Sequence, residues 1–246
     1  MASGFWLDAL RYLMDTVGDL LELSHPDDAP ALRAGTREYD YRRFRATAYK
    51  TGNYLRHCGV GAGATVAIRD VPDPESVFGF LGAALLGATV RFAPEPAVES
   101  TVLFAPTETL DEYDVNPGCT RIGYGSEPAD PSWAYFEREV WSENPFFPET
   151  SVDPESTLVT DWTQSAAIDA ARDVAAALTT EDVVAVRGSR TSPETVIGGL
   201  LAPLVAGATV LFPDADQTGT VAVGATDAPE ALLAVEADPA NNGRDA

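Results

Sequence analysis

The sequence has 246 residues, enough for one large or two small domains with a real core. It is 45% hydrophobic, which excludes a disordered or low-complexity chain. Its formal net charge of −22 excludes a nucleic-acid binder held by phosphate contacts and disfavours an anionic membrane surface.

The acids are spread along the whole chain rather than gathered in a tract for a cationic partner. Lys50 is the only lysine. Self-repulsion of this kind weakens the compact state in dilute buffer and largely vanishes in molar salt, where the Debye length is about 3 Å. The pattern is that expected of a haloarchaeal cytosolic protein living in high salt. No run of 18 apolar residues and no basic-then-apolar leader is present, so the expected location is the cytoplasm. Cys58 and Cys119 make neither a disulfide framework nor a zinc-finger spacing.

In chain order, Phe5, Trp6, Leu10, Leu13, Met14, Val17, Leu20 and Leu21 recur at helical spacing and predict one amphipathic helix over 5–23. His25-Pro26-Asp27-Asp28 breaks it. Two short strands over 31–34 and 37–39 flank Gly35, and a helix follows to about His57. Gly59, Gly61 and Gly63 follow a helix and precede a strand, the reverse of a dinucleotide loop, so they read as a helix stop and tight turn. Next come a strand (64–69, ATVAIR), a helix from Glu75 to about Leu86 stopped by Gly87, and strands at 88–92, 101–105 and 120–123. A short helical piece falls at 108–113. Continuous apolar strands alternating with helices predict a parallel sheet covered on both faces. Residues 126–156 are rich in Pro, Ser, Glu and aromatics. They read as a connector between two lobes, packed on the surface of both, with one helix near 133–141.

The pattern then returns. DVVAVR at 182–187 answers 64–69. GGLLAPLVAGATVLF at 198–212 answers GFLGAALLGATVRF at 79–92, and 220–224 answers 101–105. The offset stays within 118–120 residues, with two single-residue adjustments. A helix precedes each copy, at 43–57 and 165–178. The expected architecture is α/β: two pseudo-symmetric lobes of mostly parallel sheet flanked by helices. The expected bounds are a first lobe over 1–125, the connector over 126–156, a second lobe over 157–236 and a frayed tail over 237–246.

The run LLELSHPDDAPALRAGTREYDYRRFRATAYKTGNYLRHCGVGAGATVAI resembles the start of the acyl- and aryl-CoA synthetases of the adenylate-forming, AMP-binding superfamily. The shared pattern is a helix, His-Pro-Asp-x-Pro-Ala, a hairpin, a Tyr-opened helix and a Gly-Val-x-x-Gly strand entry, here Gly59 to Ala67. The second copy, ending Pro203-Leu204-x-x-Gly207-Ala208-Thr209, resembles a later segment of the same family. The likeness covers roughly residues 15–215 and corresponds to the first part of a full member. It implies paired α/β subdomains and a Ser/Thr/Gly-rich loop ending Pro-Lys-Gly, whose backbone N–H groups and lysine hold triphosphate.

At the matching place this chain has Thr160, Asp161, Trp162, Thr163 and Gln164 within 157–164 (TLVTDWTQ), without glycine or lysine. A carboxylate about 4 Å from a phosphate charge costs roughly 4 kcal/mol at an effective dielectric of 20. These five residues are therefore expected to mark a degenerate cofactor loop. The implied hinge Asp, C-terminal catalytic lysine and adenine-binding stretch have no counterpart in the 246 residues. Tyr124-Gly125-Ser126-Glu127 looks like that last stretch but falls in the wrong lobe order.

No catalytic residue, metal site or cofactor is expected. His25 reads as structural, and His57-Cys58 as a helix end rather than a metal pair. Arg187 and Arg190 read as surface ion pairs rather than an anion site. The expected function is a degenerate, non-adenylating relative that acts as a binding, regulatory or partner chain, alone or as a homo-dimer. The alternative is part of a split carboxylate–CoA ligase, completed by another chain. Only then would ATP, AMP or CoA be a ligand.

Overall fold

The computed structural model describes residues 14–235 except 24, 149 and 215. The expected helix over 5–13 and the tail over 237–246 lie outside them. The elements, in order, are α1 (Val17–Leu21), β1 (Pro30–Ala34), β2 (Arg37–Asp40), α2 (Tyr41–His57), β3 (Thr65–Ile68), α3 (Pro74–Ala84) and β4 (Thr89–Phe92). After them come β5 (Ala97–Val98), β6 (Val102–Pro106), a 3-10 turn (Thr107–Glu112), β7 (Asp114–Val115), β8 (Thr120–Tyr124), β9 (Ala134–Tyr135) and α4 (Phe136–Ser142). The second half runs β10 (Thr157–Val159), β11 (Trp162–Thr163), α5 (Gln164–Ala175), β12 (Val183–Val186), α6 (Pro193–Val196), a π-turn (Ile197–Leu201), α7 (Ala202–Ala206), β13 (Thr209–Phe212), β14 (Val221–Val223) and β15 (Ala231–Leu232). Among the described residues no helix is long and apolar enough to cross a membrane.

The chain divides into two compact units, residues 1–44 with 161–246, and residues 45–160. This differs from the contiguous lobes expected at 1–125 and 157–236. The reason is strand pairing. β1 lies parallel to β13, Leu32 opposite Val210, so the opening hairpin belongs with the second half. In the first unit the strand order is β15-β14-β12-β13-β1-β2, parallel throughout except the β1–β2 hairpin. In the second it is β10-β4-β3-β6-β8-β9, all parallel. β10 pairs with β4, Val159 opposite Val90. Each hairpin thus precedes its own repeat in sequence but pairs with a strand of the other repeat.

The repeat is real in three dimensions: β3, α3, β4 and β6 correspond to β12, α6 through α7, β13 and β14. One of the two offset adjustments has a local cause. The offset is 119 at Pro74/Pro193 and 120 at Gly87/Gly207, so the second helix holds one extra residue. The π-turn at Ile197–Leu201 absorbs it, as a single inserted residue in a helix does.

The core follows the sequence pattern. Val66, Ala67, Ile68 and Leu103 to Ala105 are buried, as are all eleven residues of α3. A helix apolar on every side fits a position buried on every side. Gly82 lets α2 approach: a Cβ there would stand 2.8 Å from Thr51 Cγ2 and 2.9 Å from Gly52 N.

Two expectations are corrected. Among the described residues of the helix predicted over 5–23, Met14 to Thr16 are not helical and Thr16 caps α1, its hydroxyl accepting from Asp19 N. Residues 126–156 are not a connector but part of the unit formed by 45–160. Phe136 is buried edge-on against Phe104 at 5.1 Å, and Phe147 stacks on Tyr49 at 5.9 Å.

Candidate functional site

The five residues expected to mark the cofactor loop form a tight hairpin. Thr160 stands in its turn with φ +49°, the left-handed region, as Gly35 does (φ +55°) in the β1–β2 hairpin. Asp161 is exposed at the tip. Trp162 is buried. Thr163 caps α5, its hydroxyl accepting from Ala166 N at 3.2 Å. Gln164 is fully buried and its Oε1 accepts from Val17 N at 2.9 Å, in the first turn of α1. A phosphate cradle needs several backbone N–H groups turned outward together with a cation. Here the turn offers a carboxylate, and the following side chains fasten the hairpin and helix. These residues do not fit a nucleotide's phosphates.

The carboxyl ends of the strands, beside the central strand where the chain reverses its order, are the other place a ligand binds in such folds. In the first unit that place lies between β12 and β14. There the two backbones approach closely: a Cβ on Gly188 would stand 2.7 Å from Gly224 Cα. Beside it Arg187 holds Glu230 with Nε (2.8 Å) and Nη2 (2.7 Å), and Nη2 also donates to the Gln217 carbonyl at 2.9 Å. Gly219 N donates to Glu230 at 3.0 Å. The Arg187 guanidinium holds the Glu230 carboxyl down to about 2. The pair repeats in the other unit as Arg69 and Glu112, 118 residues earlier. Arg187 is therefore an ion pair, as expected. Arg190 is not on the surface: it is 3% exposed, its guanidinium 5.2 Å over the Phe212 ring.

In the second unit the corresponding place holds Asp73. It caps α3, accepting from Ser76 N at 3.2 Å, and meets the Tyr124 hydroxyl. Burial, and then the neighbouring Glu75, push its carboxyl up to about 6. The stretch from Tyr124 to Glu127 is used internally. Tyr124 is buried, Gly125 N donates to Glu137 at 2.7 Å, the Ser126 carbonyl accepts from Thr107, and Glu127 pairs with Arg138 at 2.9 Å.

His25 is structural. Its Nε2 donates to the Leu204 carbonyl at 2.7 Å, at the end of α7, and its ring packs on Tyr41. His57 contacts Glu143 at 3.1 Å, and burial pushes the Cys58 thiol up. Among the described residues no group of three or more His, Cys, Asp or Glu could hold a metal ion.

One feature escaped the sequence reading. A groove of about 290 Å³ on the second unit is lined by Asn53, Arg56, His57, Glu143, Asn144 and Phe146, among others. Trp141 and Phe146 beside it are 84% and 70% exposed. The position of the sole lysine, Lys50, one turn before Asn53, was the available signal.

No protein-family profile matches the chain. It is 30% identical over 116 residues to a 3-hydroxybenzoate–CoA ligase of Aromatoleum sp. (strain CIB), 47% of this chain and 20% of that protein. Among solved structures it is similar to the anthranilate CoA ligase AuaEII in complex with anthranoyl-AMP, with TM-score 0.72, 18% identity, and 84% and 49% of the two chains covered. It is also similar to a benzoate CoA ligase from Burkholderia xenovorans LB400 (0.68, 17%, 85% and 50%) and to an acyl-CoA synthetase of Brucella canis (0.63, 15%, 80% and 42%). The chain spans about half the length of these structures, and the likeness to them is one of fold.

Proposed function

We propose, from the fold shared with the first half of adenylate-forming CoA ligases, that this chain is a non-adenylating relative of them. It acts as a binding or partner protein in a salt-rich cytoplasm. The observation that carries the reading is the 160–164 hairpin. The resemblance sets a triphosphate-gripping loop there, and this chain has a tight turn with an outward carboxylate and following side chains committed to caps and packing. The close approach of Gly188 to Gly224 supports the same reading, because it brings two strand ends of that unit into contact where a ligand of such folds would sit.

The test is ATP–pyrophosphate exchange in molar salt with a panel of aromatic and aliphatic carboxylic acids, alongside calorimetric titration with ATP. No exchange and no heat are expected. Exchange that survives stringent purification and follows the protein peak overturns the reading. A second chain recovered in stoichiometric amount, carrying the Pro-Lys-Gly loop and restoring exchange, would replace it with a split ligase.

A further inference from the structure

The chain from Glu143 to Pro148 follows α4, forms neither helix nor strand, and lies on the second half of α2. Side chains of α2 fasten it. Lys50 Nζ donates to the Trp141 carbonyl at 3.1 Å, just ahead of it. Asn53 Nδ2 donates to the carbonyls of Asn144 (3.0 Å) and Phe146 (2.9 Å), and His57 meets Glu143 at 3.1 Å. Within this stretch only Glu143 and Phe147 are partly covered, and the rest is exposed. Few buried apolar contacts and hydrogen bonds open to solvent mark the part of a fold that opens before the remainder. By contrast α3, which α2 approaches at Gly82, is buried along its whole length.

One ring anchors the stretch. Phe147 lies against buried Gly52: a Cβ there would stand 2.7 Å from Phe147 Cε2 and 3.3 Å from Leu85 Cδ1. Tyr49 stacks on the same ring with centroids 5.9 Å apart, and the Arg56 guanidinium lies 4.7 Å from its centroid. Positions 49, 52 and 56 follow the three- and four-residue spacing of one helix face. The missing side chain at Gly52 is what gives this slot its depth. Pro145 and Pro148 bracket Phe146 and Phe147 and restrict the backbone that presents them.

The groove of about 290 Å³ is made by this docking. One wall is Asn53, Arg56 and His57 of α2, and the other is Glu143, Asn144, Phe146 and Pro148 of the stretch itself. We propose that residues 143–148 are a strap that opens and closes on α2 as a unit, with Phe147 as its latch in the Gly52 slot. Closed, the strap builds the groove; open, the groove loses its second wall and the slot is bared. A molecule that fits the groove therefore favours the closed form, and one that takes the slot favours the open form. None of these residues lies in the 160–164 hairpin, so the device stands whether or not the chain adenylates.

The test is native-state proteolysis of the full chain in molar salt, with a protease that cuts after aromatic residues and with cut sites read by mass spectrometry. Cleavage of this kind follows the population of the open form. The wild-type protein is expected to be cut first after Trp141 or Phe146. The rate should change little with urea below the unfolding transition, because a local opening exposes little surface. F147A is expected to speed this cut about tenfold or more, through loss of the stack and the cation–π contact. G52A should do the same by displacing the ring, and N53A by freeing the two carbonyls without touching the slot. The urea midpoint of the whole protein should move little in F147A and N53A. First cuts elsewhere overturn the proposal, as does a strap cut whose rate climbs with urea as steeply as global unfolding. A rate indifferent to both F147A and N53A overturns it as well. As a second readout, the NMR signals of the Gly52 α-protons, which lie against the Phe147 ring, should show exchange broadening in the wild type. Sharp signals that keep their ring-current shift in G52-intact N53A would overturn the proposal too.

Discussion

Replacing Asp73 by Asn should make the protein more stable at neutral and alkaline pH while leaving it nearly unchanged in acid. The Asp73 carboxyl lies at about 6 in the fold against 3.8 in the unfolded chain, because burial and Glu75 disfavour the charged form. A group raised in the fold contributes stability that is fully present below 3.8 and is lost as pH rises through about 6. The difference of about two pKa units corresponds to about 3 kcal/mol at 1.36 kcal/mol per unit. Asn keeps a cap acceptor for Ser76 N and ranks with Asp at such positions, so the cap bond survives. Its weaker contact with Tyr124 offsets about 1 kcal/mol. The expected net gain is about 2 kcal/mol at pH 8, closing to within about 0.5 kcal/mol near pH 4. Urea denaturation of both proteins by circular dichroism, in constant molar salt from pH 4 to pH 8, measures the difference directly. A difference that stays flat over this range, or a variant weaker at pH 8, would refute the reasoning.

Further substitutions probe other parts of the argument. Gly82→Ala drives a Cβ to 3.0 Å from the Thr51 carbonyl carbon as well as onto Gly52 N, and backbone cannot step aside. A loss of about 1–2 kcal/mol by denaturant midpoint is expected despite the better helix propensity of Ala, and a neutral result would show that α2 and α3 are not in this contact. Glu230→Gln leaves the guanidinium of Arg187 without its charge partner and should cost about 2 kcal/mol at pH 7. Because Arg187 lowers that carboxyl from 4.5 to about 2, its contribution is present above 4.5 and fades as pH falls toward 2. Wild-type and variant melting curves should therefore converge only in strong acid. Thr160→Gly removes a β-branched residue from φ +49° and should raise the melting temperature, by the equivalent of roughly 1 kcal/mol. A lower melting temperature would mean that the turn is not strained.

The strand–helix–strand units and their repetition were legible in the residues, because both signals are local. Runs such as 64–69 and 182–187 are apolar without alternation, which only a strand covered on both faces can satisfy. The extra residue in the second copy was visible as an offset, and the π-turn at Ile197–Leu201 is its physical form. Part of the candidate site was equally plain. The turn at Asp161 lacks glycine and cation in the sequence itself, and the structure adds what Thr163 and Gln164 do instead.

Pairing between distant strands was not legible. Nothing near residues 30–34 states that Leu32 will lie opposite Val210 rather than beside a strand of its own repeat. That choice depends on loop closure and on the combined packing of many residues, and it decided where the units divide. The same holds for side chains whose surroundings come from elsewhere in the chain. Arg190 reads as a surface cation until Phe212 lies beneath it, and Trp141 reads as a packing residue until α4 turns it outward. Composition and periodicity fix what a segment can bury; the partner it buries against is settled only when the whole chain closes on itself.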